Sequence, residues 1–146
     1  AHLVTEVRRV ADLGAAGIVV GALTEVGAVD THAMEAILAA ADPLPVTFHR
    51  AFDEIADQAA ALEELIGLGV RRVLTSGGAP TAAEGADRIG TLVRQAAGRI
   101  GVLAGGSVRA RNAAALVRTT GVTEIHSRTP ADADGVRALV LAANGG

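Results

Sequence analysis

"DQAAALEELIGLGVRRVLTSGG", Asp57 to Gly78, holds one complete turn of the pattern that organises this chain. Its first half is helical. Leu62, Leu65 and Ile66, with Ala59, fall on one face, and Glu63 and Glu64 take the other. Asp57 stands where a carboxylate accepts the first orphan N–H groups of a helix, and Gly67 and Gly69 mark its end. The second half, Val70 to Gly77, reads as a short strand running into a glycine turn.

The same alternation extends both ways. Strand-like runs stand at "GIVVGAL" (Gly17–Leu23), "PVTFHR" (Pro45–Arg50), "RIGVLAGG" (Arg99–Gly106) and "TEIHSR" (Thr123–Arg128). Helical segments separate them. "DTHAMEAILAAA" places Met34, Ile37, Leu38 and Ala41 on one face behind Asp30 as cap. "TAAE", Thr81–Glu84, is a capping box after Pro80, and "SVRARNAAALVRTTG" starts at Ser107 as cap and stops at Gly121. The units repeat at roughly 25–30 residues, the length of a βα unit, and such units make parallel sheets because a parallel connection needs a crossover helix. Two architectures fit: an open five-stranded doubly wound sheet, or part of a (β/α)8 barrel, which needs about 250 residues in all. The leading helix, "LVTEVRRVADLG", has no strand ahead of it, and several strand ends are polar or Gly-rich alike; both features favour the barrel. The 146 residues are read as a single domain and as a piece of a longer chain.

Composition narrows the chemistry. The chain has no Cys, so it offers no thiolate metal site and no Cys nucleophile. All 13 basic residues are Arg, which removes lysine Schiff-base chemistry and a Walker-type lysine. The absence of Trp and Tyr removes the aromatic platforms on which sugars and bases stack. Net charge is −3 with no basic stripe, and no apolar run is long enough to cross a membrane. The expectation is a cytoplasmic protein with no nucleic-acid and no membrane partner.

In a parallel α/β protein the site lies at the carboxyl ends of the strands. Those ends supply His49, Arg50 and Asp53 in "VTFHRAFD", Thr75, Ser76, Gly77 and Gly78 in "LTSGG", Gly105, Gly106 and Ser107 in "LAGGS", and His126 in "HSR". Alternation turns Val46 and Phe48 to one face and Thr47 and His49 to the other; Glu124 and His126 likewise oppose Ile125. Two inward histidines could act as acid/base groups, as metal ligands or as hydrogen-bonded lumen residues. Arg50 is a fork for carboxylate or phosphate, or a partner for Asp53, which reads as a turn or cap residue. The two Gly-rich turns lead into helices, a design that suits a phosphate-sized anion.

"VTFHRAFD", "ALEELIGLGVRRVLTSGG" and "RIGVLAGGSVRARNAAALVRTTGVTEIHSR" resemble the CutC copper homeostasis family, over about Val10 to Arg128. "GIVVGALTEVGAVD" resembles that family's "GxVxGxL" segment. The resemblance implies a (β/α)8 barrel of which this chain holds strands four to eight and lacks the first three βα units. It implies copper as the ion handled. It also carries rim residues onto His49, Arg50, Asp53, Thr75, Ser76, Gly77, Gly105, Gly106, Asn112 and His126. "GGSV" departs from the family's "GGGV"-like run, and the passage through "TPADADG" is shorter than is usual there.

Three functions follow from these readings: a copper-homeostasis protein, an enzyme acting on a small anionic substrate of phosphate or sugar type, or a non-catalytic structural module. Cu(I) prefers thiolate or thioether ligands, and one Met with no Cys leaves His49 and His126 as weak metal candidates. An enzyme would use His49 and His126 as acid/base groups and Arg50 as clamp. Thr75, Ser76, Gly77, Gly78, Gly105, Gly106, Ser107 and Asn112 would line the substrate. Five strands of an eight-stranded barrel would leave open edges, so a second copy of the chain is an expected partner.

Overall fold

The computed structural model describes residues 2–128. Helix α1 (His2–Asp12) is followed by β1 (Ile18–Val20), α2 (Thr31–Ala41), β2 (Val46–Phe48), a 3-10 turn (Arg50–Glu54), α3 (Gln58–Leu68), β3 (Arg72–Thr75), α4 (Ala86–Ala96), β4 (Gly101–Ala104), α5 (Ala110–Thr120) and β5 (Glu124–Ile125). Every strand falls inside the run that the sequence marks for it. The strand order is β1-β2-β3-β4-β5, and the pairs β1–β2, β2–β3 and β4–β5 are parallel. This sequential order is that of consecutive barrel units. A doubly wound sheet reverses its order at a switch point, and no reversal occurs here.

The chain packs as two compact units, one ending at Val73 and one beginning at Leu74. In the first, Val46, Phe48, Phe52, Met34, Leu62 and Leu65 are all buried, so the face assigned to Val46 and Phe48 does pack. Asp30 and Asp57 cap α2 and α3 as read: their Oδ1 atoms accept the N–H of Ala33 at 2.9 Å and of Ala60 at 3.0 Å. Gly69, with φ of +87°, closes α3. Leu38 is half-buried, and Ile66 likewise, at the margins of their faces. Val19 is 66% exposed between buried Ile18 and Val20, on the edge strand of the sheet.

In the second unit, Ile89, Leu92, Val102, Val108 and Leu116 form the apolar centre. Two caps differ from expectation. The N-cap of α5 is Arg109, two residues beyond Ser107, because Asn112 reaches back to accept the Arg109 N–H at 2.9 Å. The Thr81–Glu84 box closes a separate turn, with the Glu84 N–H donating to Thr81 Oγ1 at 3.2 Å. Helix α4 starts after it, at Ala86. Gly85 between the two is where the chain crosses the end of β3: a Cβ there would overlap the Ser76 carbonyl, and one on Gly77 would overlap the Gly85 carbonyl. The crossing therefore requires glycine at both positions.

Candidate functional site

The strand ends of the first unit present side chains. His49 follows β2 directly, and its N–H donates to Val20 O at 3.0 Å. The residue also caps the 3-10 turn: the Ala51 N–H donates to His49 Nδ1 at 3.2 Å. The ring lies over Gly21, where a Cβ would come 2.7 Å from Cε1 and 2.8 Å from Nδ1. Arg50 Nε donates to Asp53 Oδ2 at 2.8 Å within the same turn. Asp53 is thus the turn residue the sequence suggested, and it orients Arg50. The Arg50 side chain is 42% exposed, so the guanidinium remains accessible while its Nε is held.

The strand ends of the second unit present backbone. Thr75 and Ser76 are fully buried. Thr75 Oγ1 accepts the Gly77 N–H at 2.9 Å, and Ser76 Oγ donates to Ala79 O, so both hydroxyls shape the turn after β3. Gly78 follows Gly77 with φ of +78° and is exposed. The turns after β3 and β4 are joined twice: the Gly105 N–H donates to Thr75 O at 3.0 Å, and the Ala82 N–H to Gly106 O at 2.9 Å.

The segment Gly106–Arg109 is one-sided in its hydrogen bonding. Its carbonyls are all taken: Gly106 O by Ala82, Ser107 O by Asn112 Nδ2 at 3.0 Å, Val108 O by Ser127 Oγ at 2.6 Å and Arg109 Nη1 at 2.8 Å, and Arg109 O by the Asn112 and Ala113 N–H groups. The N–H groups of Gly106, Ser107 and Val108 have no acceptor among the described residues. Because carbonyls are satisfied and amides are not, this loop offers donors only, and Val108 is 1% exposed. Ser107 adopts φ of +55°, the conformation that glycine would take more easily, so the departure from "GGGV" is accommodated by the left-handed region. Asn112 uses both ends of its amide to hold this loop. It supports the donors rather than reaching outward itself.

His126 donates its N–H to Ala104 O at 2.8 Å, and its Cβ would stand 3.5 Å from a Cβ on Gly105. It is exposed, and its ring has no partner among the described residues. The segment "TPADADG" lies outside the described residues.

Copper is the ion that the resemblance implies, and the residues do not fit it. No group of three or more His, Cys, Asp or Glu is placed to hold a metal ion among the described residues. Met34, the one thioether, is wholly buried in α2. His49 has its Nδ1 engaged by backbone. A soft cation finds no soft ligand here.

Sequence reading named Gly106 and Ser107 but missed Gly21, Gly85 and Val108. A glycine directly after "IVV" was the available signal for the first. The others depend on partners distant in the chain.

A cleft of about 490 Å³ lies elsewhere in the first unit, at the starts of β2 and β3, lined by residues that include Leu38, Pro43, Leu68 and Arg71. No candidate residue lines it.

Comparison with known proteins adds the family. The model of the CutC family matches residues 1–131. A CutC family protein of Pasteurella multocida is 52% identical over 114 residues, covering 78% of this chain and 47% of that protein. The human copper homeostasis protein cutC homolog is 50% identical over 113 residues, covering 77% of this chain and 41% of that protein. The chain spans about half the length of the curated relatives it matches. The crystal structure of the copper homeostasis protein CutC from Streptococcus agalactiae superposes with a TM-score of 0.80 at 35% identity, covering 84% of this chain and 60% of that one. An aldolase, QR15, superposes with a TM-score of 0.65 at 21% identity over 84% of this chain and 58% of that one, a likeness of fold alone. The sequential parallel βα units, the family match and the CutC superposition agree, and the chain belongs to the CutC family.

Proposed function

We propose that the strand ends of this chain form part of a binding rim for a small oxyanion, of phosphate or sugar-phosphate type, in a cytoplasmic CutC-family protein. One observation carries the reading: the Gly106–Val108 loop has its carbonyls engaged and its N–H groups unengaged among the described residues. Three such amides at the start of α5 stabilise negative charge, and the helix dipole adds to them. Thr75, Ser76, Gly77, Gly78 and Gly105 would support that loop, with His126 as a polar group at the ligand; within the first unit, Arg50 and His49 would be the cation and the polar group offered to an oxyanion.

The test is a phosphate titration of the isotopically labelled protein, followed through its backbone amide resonances. The expected result is saturable shifts at Gly106, Ser107 and Val108, reduced several-fold in affinity by Asn112→Ala, which loosens the loop. Shifts confined to other amides, or none at saturating phosphate, would defeat the reading.

A copper-handling role is the second reading, favoured by the names its relatives carry. It places the copper ligands outside the described residues of this chain. Copper titration of the protein and of its His49→Ala/His126→Ala variant separates the two. Equal stoichiometry in both is expected, and a loss in the double variant would return His49 and His126 to the metal. A second copy of the chain is the partner proposed for the β1 edge, where Val19 is 66% exposed. Light scattering is expected to show more than one chain per particle.

A further inference from the structure

His49 is placed by four contacts, and one of them fixes where its ring proton sits. Its own N–H is tied to Val20 O at 3.0 Å, which holds the backbone against β1. The Ala51 N–H points at Nδ1 at 3.2 Å. The ring rests on Gly21, whose missing Cβ is the space that Cε1 and Nδ1 occupy, at 2.7 and 2.8 Å from where that Cβ would be. Phe48 flanks it, with ring centroids 5.9 Å apart and planes tilted by 57°. The side chain is half-buried, and Nε2 has no partner among the described residues.

A neutral imidazole carries one N–H. An N–H group that donates to Nδ1 needs a lone pair there, so the ring proton is on Nε2. We infer that His49 works as a neutral hydrogen-bond donor through Nε2–H, directed at an oxygen atom of the ligand, and that Gly21 is the positioning residue that makes this ring pose possible. The opposite roles are unfavourable in this geometry. To accept a proton or a metal ion at Nε2, the ring would move its proton to Nδ1. There it would face the Ala51 N–H, donor against donor, and the cap of the 3-10 turn would be lost. A fixed neutral donor polarises a carbonyl or stabilises an anionic oxygen without itself changing charge.

The ligand class in this inference, an oxyanion, rests on the proposed function, whereas the tautomer stands apart from it. The experiment is long-range nitrogen–proton correlation on 15N-histidine-labelled protein at mildly alkaline pH. His49 is assigned by the resonances that vanish in His49→Asn. The expected spectrum shows His49 with an unprotonated Nδ1 and a protonated Nε2, unchanged by Zn(II) as a metal probe. Inorganic phosphate is expected to shift the His49 Nε2–H resonance. A protonated Nδ1 in His49, or Zn(II) bound at Nε2, overturns the donor role. An Nε2–H that phosphate leaves unmoved overturns the ligand assignment but not the tautomer. Loss of the phosphate response at the Gly106–Val108 amides alone would defeat the rim reading and leave His49 as inferred. Gly21→Ala is expected to give a mixed or inverted tautomer. Retention of the wild-type pattern in that variant would overturn the positioning role, and the wild-type spectrum decides the tautomer even should the variant not fold.

Discussion

The two units of the chain end their strands in different materials. In the first, the end of β2 carries candidate side chains, His49 and Arg50, both tied by short-range bonds to the 3-10 turn. In the second, the end of β3 carries buried hydroxyls, and the end of β4 runs into a loop whose backbone amides have no acceptor among the described residues. Side chains on a turn can be replaced with local consequences. A loop built from crossing backbones cannot, because its shape depends on groups that every residue type shares except glycine at the crossing. The lesson is that the same position in two βα units can be specified by rotamer in one and by backbone clearance in the other.

This contrast can be broken most directly at Gly85. Gly85→Ala drives a Cβ into the Ser76 carbonyl, where no rotamer change gives relief. A loss of about 3 kcal/mol is expected, at the upper end for overpacking, read by urea unfolding. Gly67→Ala is the paired control. A Cβ at Gly67 meets nothing within 4 Å, so that variant is expected to gain about 0.5–1 kcal/mol from the lower entropy of alanine in a helix. Equal effects at the two glycines would remove the distinction between the crossing and an ordinary helix glycine.

A smaller loss is expected from Thr75→Val. The variant keeps the volume but removes the acceptor of the Gly77 N–H at a fully buried site, costing about 1–3 kcal/mol. The first unit should respond less. His49→Ala removes the cap on the Ala51 N–H and is expected to cost about 1 kcal/mol, most of it returned by His49→Asn, whose side chain can accept the same bond. Asp53→Ala frees the Arg50 Nε and should change stability least, by about 0.2–1 kcal/mol and less at high salt, since Arg50 is exposed. A loss at Asp53 larger than that at Thr75 would invert the comparison.

Much of this fold was readable before any coordinates. Strand positions, the caps at Asp30 and Asp57 and the stop at Gly69 follow from local rules, because a capping bond spans three residues and a strand face alternates by two. The candidate rim residues were located by the rule that parallel strands place function at their carboxyl ends. What could not be read was which of their atoms are already engaged. Ser107 was assigned as a helix cap, yet Asn112 sets the cap at Arg109 and leaves Ser107 in the loop with φ of +55°. The donor-only character of Gly106–Val108 depends on Ser127, 19 residues further on, and on Ala82, upstream in another turn. Gly21 matters through a ring that belongs to the next strand. Each of these is a contact between segments, and hydrophobic periodicity carries no information about it.

The cleft at the starts of β2 and β3 has a practical consequence for anyone searching for ligands. It is concave, it borders Arg71, and it lies at the starts of β2 and β3, the opposite end of β2 from His49 and Arg50. A thermal-shift screen reports binding anywhere on the molecule. Small acids that settle against Arg71 would therefore register as hits with no bearing on the rim. Screening the Arg71→Ala variant in parallel removes that background. Compounds whose signal survives there and fades with Asn112→Ala are the ones that bind through the Gly106–Val108 loop.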